Sequence, residues 1–137
     1  MDEAKKLLIQ AWLIKAQHDL ASAQRLASGD DPLLDTAIYH CQQAAEKAVK
    51  GFLVYRDKRF EKTHDLAVLS LETVPFTPDF ASLGNQASRL TRYATLFRYP
   101  DVQMEPAQTE YEQAYEDASE FVSVALLLIP AEAHPLG

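Results

Sequence analysis

The chain has 137 residues and a formal net charge of −7, with 47% hydrophobic and 24% charged residues. This length suits one domain, and the composition excludes both a disordered chain and a coiled-coil rod. The single cysteine, Cys41, excludes an internal disulfide and a zinc site built from cysteines. The N-terminus is charged and amphipathic, and no stretch reaches the length of about 18 apolar residues that spans a membrane. We expect a cytoplasmic protein.

The charge is distributed unevenly along the chain. Residues 1–98 hold 13 basic and 12 acidic residues, whereas residues 99–137 hold eight acidic residues and no basic one. Within the first part, residues 47–62 hold six basic and two acidic side chains, a local balance of +4. This segment could contact phosphate groups despite the overall acidity. The same composition is also expected of solvent-exposed basic side chains near the C-terminus of a helix.

The first two predicted helices span residues 3–28 and 33–56, where apolar side chains recur every three or four positions. The apolar stripe of the first consists of Leu8, Ala11, Trp12, Ala16, Leu20, Ala23 and Ala27. The stripe of the second consists of Ala37, Ile38, Cys41, Ala45, Ala48, Val49, Phe52 and Leu53. Between the two helices, Gly29 and Pro32 favour a turn.

Three further helices complete the predicted elements. Thr63 is a good N-cap for a short third helix from His64 to about Val74, which Pro75 ends. A fourth helix is predicted over residues 79–97 and a fifth over residues 106–129, and no alternating strand pattern competes with them. The pattern predicts an all-α antiparallel bundle with Trp12, Phe52, Phe97 and Phe121 in its core.

The second predicted helix also carries a polar stripe, formed by His40, Gln43, Glu46, Lys47 and Lys50. Periodicity alone favours a solvent-exposed face here, supported by a Glu46–Lys50 pair at i,i+4. The loop that follows contains Arg59 and, five positions later, His64. Such a pair could cleave RNA without a metal, with histidine moving a proton and arginine offsetting the phosphate charge. The competing interpretation places His64 in the first turn of a helix that Thr63 caps.

Three sequence blocks carry a family resemblance. They are YHCQQAAEKAVK from Tyr39 to Lys50, KTHDL from Lys62 to Leu66 and RYPD from Arg98 to Asp101, preceded by Trp12 and Asp19–Leu20. Together these blocks resemble the HEPN (higher eukaryotes and prokaryotes nucleotide-binding) domain family over residues 8–128. The resemblance implies an up-and-down bundle of four main helices plus a short additional helix, here residues 1–130, with residues 131–137 as a flexible tail.

The resemblance also implies a function. HEPN domains are often homodimers, associate with nucleotides or RNA, and in many prokaryotes partner a minimal nucleotidyltransferase, sometimes as toxin and antitoxin. Ribonuclease members carry an arginine followed after four to six residues by a histidine near the start of a late helix. In this chain no histidine follows Arg98 through Met104, and Leu66 stands where some members carry a modified tyrosine two residues after the histidine.

Three hypotheses follow for the site. In the first, a nucleotide-binding module contacts its ligand through Lys47, Lys50, Arg98, Tyr99 and Asp101, with no cofactor or metal. In the second, a ribonuclease of toxin–antitoxin type uses His64 as acid or base, with Arg59 or, alternatively, Arg98 stabilising the phosphate. In the third, the chain is a structural dimer partner whose acidic fifth helix meets a basic protein.

Overall fold

The computed structural model describes residues 1–101 and 104–136. These residues form five α-helices in chain order: α1 Glu3–Ala27, α2 Leu34–Tyr55, α3 Leu66–Glu72, α4 Gly84–Thr91 and α5 Gln108–Leu128. Single 3₁₀ turns precede and follow α4, at Ala81–Leu83 and Arg92–Ala94, and a third follows α5 at Ala131–Ala133. The described part of the chain contains no strand, so the predicted all-α bundle is confirmed.

The central helix of the bundle is α2, which packs along α1 on one side and α5 on the other. The first two helices are antiparallel, because Lys5 near the start of α1 pairs with Asp57 just after the end of α2. Their backbones approach closely at Gly51, where an added Cβ would lie 3.3 Å from the Cβ of Trp12. Within the described ranges, no helix has the length and hydrophobicity needed to cross a membrane.

The buried face of α1 differs from the predicted stripe by one position. Ile9 and Leu13 are buried, whereas Leu8 is 51% exposed and Trp12 is only half-buried. Ala16 and Ala23 of the predicted stripe are buried, so the difference is confined to the first half of the helix, where two apolar rows lie side by side and packing against α2 buries Ile9 and Leu13. Of the other predicted core aromatics, Phe52 and Phe121 are buried, while Phe97 packs at the edge of the core with a left-handed φ of 69°.

The third helix starts later than predicted. Asp65 is its N-cap and accepts hydrogen bonds from the backbone N–H groups of Ala67 and Val68, whereas Thr63 accepts one from Asp65. His64 therefore precedes the helix instead of lying in its first turn. The predicted fourth helix, 79–97, is shorter and divided into α4 and its two flanking 3₁₀ turns.

The C-terminal residues pack against α1. Ala133 is fully buried, and the side-chain amide of Gln10 donates to the carbonyl oxygens of Glu132 and His134. The imidazole Nε2 of His134 lies 2.7 Å from the carbonyl oxygen of Ile129. These contacts lie within the segment 131–137 that the sequence predicts as a tail, and they involve a buried polar side chain on α1 that periodicity does not reveal.

Three ionisable groups in the core make the fold sensitive to alkali. Burial is the largest cause that raises the pKa of Cys41, Tyr93 and Tyr111 to about 12. The unfolded chain releases these protons at lower pH, so their stabilising contribution is complete below the unfolded pKa values and is lost as the pH rises toward the folded ones. We expect the urea midpoint to fall between about pH 8 and pH 11. An unchanged midpoint would contradict this expectation.

Candidate functional site

The polar stripe of α2 faces other parts of the protein instead of solvent. Glu46 is 2% exposed and Gln42 is fully buried. The prediction that this face of α2 is exposed to solvent is therefore wrong, because α1 and the loop before α3 both cover it. Each covering element supplies one partner to the stripe, namely Asp19 from α1 and His64 from the loop.

The first of two polar groups, the Asp19 group, comprises Asp19, His40 and Lys47. The carboxylate of Asp19 is nearly buried, with one oxygen 2.7 Å from Nδ1 of His40 and the other accepting from Nζ of Lys47. Lys47 balances the carboxylate charge, so neither needs a further ion. Because Nδ1 of His40 is engaged, Nε2 is the ring nitrogen left to meet a ligand.

The second polar group, the Glu46 group, comprises Glu46, His64, Lys50 and Gln43. One carboxylate oxygen of Glu46 lies 2.8 Å from Nδ1 of His64 and 3.1 Å from Nζ of Lys50. The other oxygen accepts from the side-chain amide of Gln43 at 3.0 Å. The His64 side chain is 67% exposed, so a buried carboxylate orients an imidazole that solvent and ligands can reach.

Aromatic rings surround the lysine of the Glu46 group. The Nζ atom of Lys50 lies 5.7 Å from the ring centroid of Trp12 and 5.6 Å from that of Phe60. The two rings meet edge to face at 6.1 Å between centroids. Lys47 and Lys50, both predicted as phosphate contacts, thus have their charges paired with buried carboxylates.

Arg98 lies in a cleft beside the Asp19 group. The cleft has a volume of about 280 Å³ and is lined by Asp35, Thr36, Tyr39, His40, Phe97 and Arg98. The guanidinium carbon of Arg98 is 4.1 Å from the ring centroid of Tyr39, and one guanidinium nitrogen donates to the carbonyl oxygen of Ala94. Within residues 1–101 and 104–136, no carboxylate pairs with Arg98. The fold thus gathers an arginine, a histidine and a hydroxyl group in one cleft, which we call the Arg98 cleft.

The remaining predicted site residues are less closely associated. Tyr99 and Asp101 are exposed beyond Arg98, and neither lines the cleft. Arg59 is exposed in its loop, and the described side chains show no contact between it and His64. Val102 and Gln103, which belong to the segment searched for a histidine after Arg98, lie outside the described residues.

The sequence-based predictions missed Asp19, Thr36 and His40 as site residues. Asp19 stands among the polar residues of α1, and nothing in its periodicity separates it from exposed neighbours. The pair could have been predicted from an aspartate and a histidine on two consecutive antiparallel helices. Antiparallel packing brings residues 19 and 40 to the same height along the helix axes, where they form a hydrogen bond.

The fold and its polar groups define a small helical bundle with two buried carboxylates that each orient a histidine. A model of the HEPN domain matches residues 9–128, nearly the whole chain. The chain therefore belongs to the HEPN domain family.

Two solved structures are similar to this chain. The crystal structure of TT1696 from Thermus thermophilus has 26% sequence identity and a TM-score of 0.72, with 90% of this chain and 99% of that chain covered. The structure of ST0689, an archaeal HEPN homologue, has 26% identity and a TM-score of 0.68, with 89% and 98% covered. No curated protein matches the chain.

Proposed function

We propose that this HEPN-family chain is a nucleotide-binding module that serves as the partner subunit of a minimal nucleotidyltransferase. The observation that carries the nucleotide binding is the Arg98 guanidinium, which stacks on Tyr39 at 4.1 Å and lines a cleft with His40. A guanidinium without a carboxylate partner retains its charge and its forked donors for a phosphate group.

The other residues of the cleft suit the same ligand. The Asp19 carboxylate fixes the ring of His40, so Nε2 donates to a phosphate oxygen when the imidazole is protonated. Thr36, in the first turn of α2, carries a hydroxyl that donates to Oδ1 of Asp35 at 3.3 Å and can turn to a phosphate oxygen. Lys47 contributes indirectly, because it balances the charge of Asp19 instead of contacting the ligand.

Replacing Arg98 by alanine should weaken nucleotide binding by about tenfold or more, because a charged hydrogen bond contributes about 1.5–3 kcal/mol. Isothermal titration calorimetry with adenosine 5′-monophosphate measures the change. Arg92→Ala is the matched control, since Arg92 is exposed and its cation lies over Tyr93, outside the cleft. Equal affinities of wild type and Arg98→Ala, or no binding by either, would refute the proposal.

Two surfaces, one on α1 and one on α5, support the proposed association with a second copy of the chain and with a nucleotidyltransferase. Leu7, Leu8 and Ile14 lie on one side of α1 and are exposed by 55%, 51% and 36%, as a helix face covered in a homodimer would be. On α5, the exposed Glu112 and Glu116 offer negative charge to a basic protein partner. Sedimentation of the chain alone, and then mixed with a minimal nucleotidyltransferase, tests both associations.

A second candidate function is a metal-independent ribonuclease of toxin–antitoxin type. The specific observation in its favour is the Glu46 group, where a buried carboxylate holds Nδ1 of His64 and leaves the other ring nitrogen toward solvent. This arrangement suits an imidazole that accepts and returns a proton. Arg59 would reach the phosphate only after its exposed loop rearranges.

Cleavage of a single-stranded RNA in the presence of a metal chelator tests this function. If the ribonuclease hypothesis is correct, His64→Ala removes the activity and Glu46→Gln lowers it, with circular dichroism of each variant checking that the fold is kept. His18→Ala is the control, because His18 is an exposed histidine on the outer face of α1. Absence of cleavage by the wild-type protein, or equal cleavage by His64→Ala, would eliminate the hypothesis.

A further inference from the structure

We propose that the Arg98 cleft selects ligands that end in a single phosphate monoester, such as a nucleoside 5′-monophosphate, over nucleoside triphosphates. The inference rests on the proposed nucleotide binding and deepens it by naming the ligand class. It also assigns contact roles to Thr36 and His40 and a specificity role to Asp35.

The size of the cleft limits what it can enclose. Its volume of about 280 Å³ lies just below the range of about 300–1,000 Å³ that is typical of sites for drug-sized ligands. Because the cleft is small and open on one side, we place the phosphate and the attached ribose inside it and any further groups of the ligand outside it. The base then lies at the mouth of the cleft, and we expect little discrimination between bases.

The charges of the cleft match one phosphate group. Arg98 is the cation that lines the cleft, since Lys47 is already paired with Asp19, and Nε2 of His40 is the imidazole nitrogen that Asp19 leaves available. A terminal phosphate carries up to two negative charges near neutral pH and accepts hydrogen bonds on three oxygens. The Arg98 guanidinium and the His40 imidazole therefore suit one phosphate group, and no further lysine or arginine lines the cleft for additional phosphates. The Thr36 hydroxyl donates to Oδ1 of Asp35 at 3.3 Å and would have to turn to reach the phosphate.

An acidic cleft adjoins the Arg98 cleft and opposes a longer phosphate chain. It has a volume of about 330 Å³ and is lined by Asp31, Pro32, Leu33, Leu34, Asp35 and Glu105. Asp35 borders both clefts. Extra phosphates of a triphosphate that extended this way would meet three carboxylates, and the repulsion would weaken binding. Ribose hydroxyls, by contrast, donate hydrogen bonds to carboxylates.

The charge of Asp35 can be removed while its hydrogen bonds are kept. Oδ1 of Asp35 accepts hydrogen bonds from the backbone N–H of Thr36 at 2.8 Å and from its hydroxyl at 3.3 Å, a double contact that the amide oxygen of an asparagine can keep. Asp35→Asn therefore removes the charge without removing this contact.

Calorimetry on the full chain tests the selectivity with adenosine, adenosine 5′-monophosphate, uridine 5′-monophosphate and adenosine 5′-triphosphate, the last with and without Mg²⁺. We expect both monophosphates to bind with similar affinity, the triphosphate to bind about tenfold more weakly and adenosine not to bind. Triphosphate binding as tight as monophosphate binding overturns this inference but leaves nucleotide binding standing. Failure of every nucleotide to bind overturns both.

Variants of the two clefts identify the residues responsible. Asp35→Asn should reduce the difference in affinity between the monophosphate and the triphosphate. Asp30→Asn removes the same charge outside both clefts and should leave this difference unchanged. His40→Gln and Thr36→Val should each weaken monophosphate binding by several-fold, with Thr36→Val serving if the histidine variant fails to fold. An unchanged selectivity in Asp35→Asn, or unchanged affinity in both contact variants, overturns the assignment.

Discussion

Replacing Arg89 by methionine is expected to destabilise the fold by about 1.5–3 kcal/mol, because it leaves a buried carboxylate without its cation. The Arg89 side chain is 41% exposed, so water screens the pair and the loss is smaller than for a fully buried one. Asp117 on α5 is 1% exposed, and Nε and Nη2 of Arg89 each donate to one of its oxygens at 2.9 Å. After the substitution, the side-chain amide of Gln113 remains as the carboxylate's hydrogen-bond donor. Urea unfolding followed by circular dichroism measures the loss.

Two further variants separate the buried charge from general effects of losing an arginine. Arg92→Met removes a cation that lies 3.9 Å from Glu110 at an exposed position, and it should cost less than about 1 kcal/mol. The double variant Arg89→Met with Asp117→Leu should regain much of the stability, because no buried charge then remains. A loss below about 1 kcal/mol in Arg89→Met would show that the pair contributes no more than a surface one.

Phe80→Ala should also lower the free energy of unfolding by about 3–5 kcal/mol, since it opens a cavity where three elements meet. Phe80 is fully buried, and its ring centroid lies 5.2 Å from that of Phe52 on α2 and 6.2 Å from that of Phe121 on α5. The same urea experiment measures the change. Tyr99→Ala, at a side chain that is 56% exposed, should change stability by less than about 0.5 kcal/mol. A comparable loss in both variants would contradict the cavity argument.

The long helices could be predicted because each carries its own signals. For α1, α2 and α5, apolar spacing and turn residues gave bounds within two residues of the observed ones. The prediction of the buried face failed in the first half of α1, where two apolar rows lie side by side. Leu8 and Ile9 are equally suitable as core residues, and only the packing of α2 against α1 determines that Ile9 is buried. The divided α4 was missed for a related reason, because local periodicity does not reveal where a helix changes to a 3₁₀ turn.

The candidate site was predictable only in part, because its contacts join residues distant in sequence. Arg98 and His64 stood out through their motifs, but the pairing of Asp19 with His40 depends on how α1 lies against α2. The same geometry changes the role of the predicted lysines. Lys47 and Lys50 look like free cations in the sequence, and burial of Asp19 and Glu46 turns each of them into a counter-ion.

The position of Trp12 makes its intrinsic fluorescence a probe of ligand binding. Trp12 is the chain's single tryptophan, and its ring contacts Phe60 and the ammonium group of Lys50, next to the Glu46 group. Its fluorescence should respond when the loop that carries Arg59 and Phe60 moves or when a ligand engages His64. A ligand in the Arg98 cleft is in contact with none of these groups. Emission spectra can thus assign a bound molecule to one end of α2 without any introduced label.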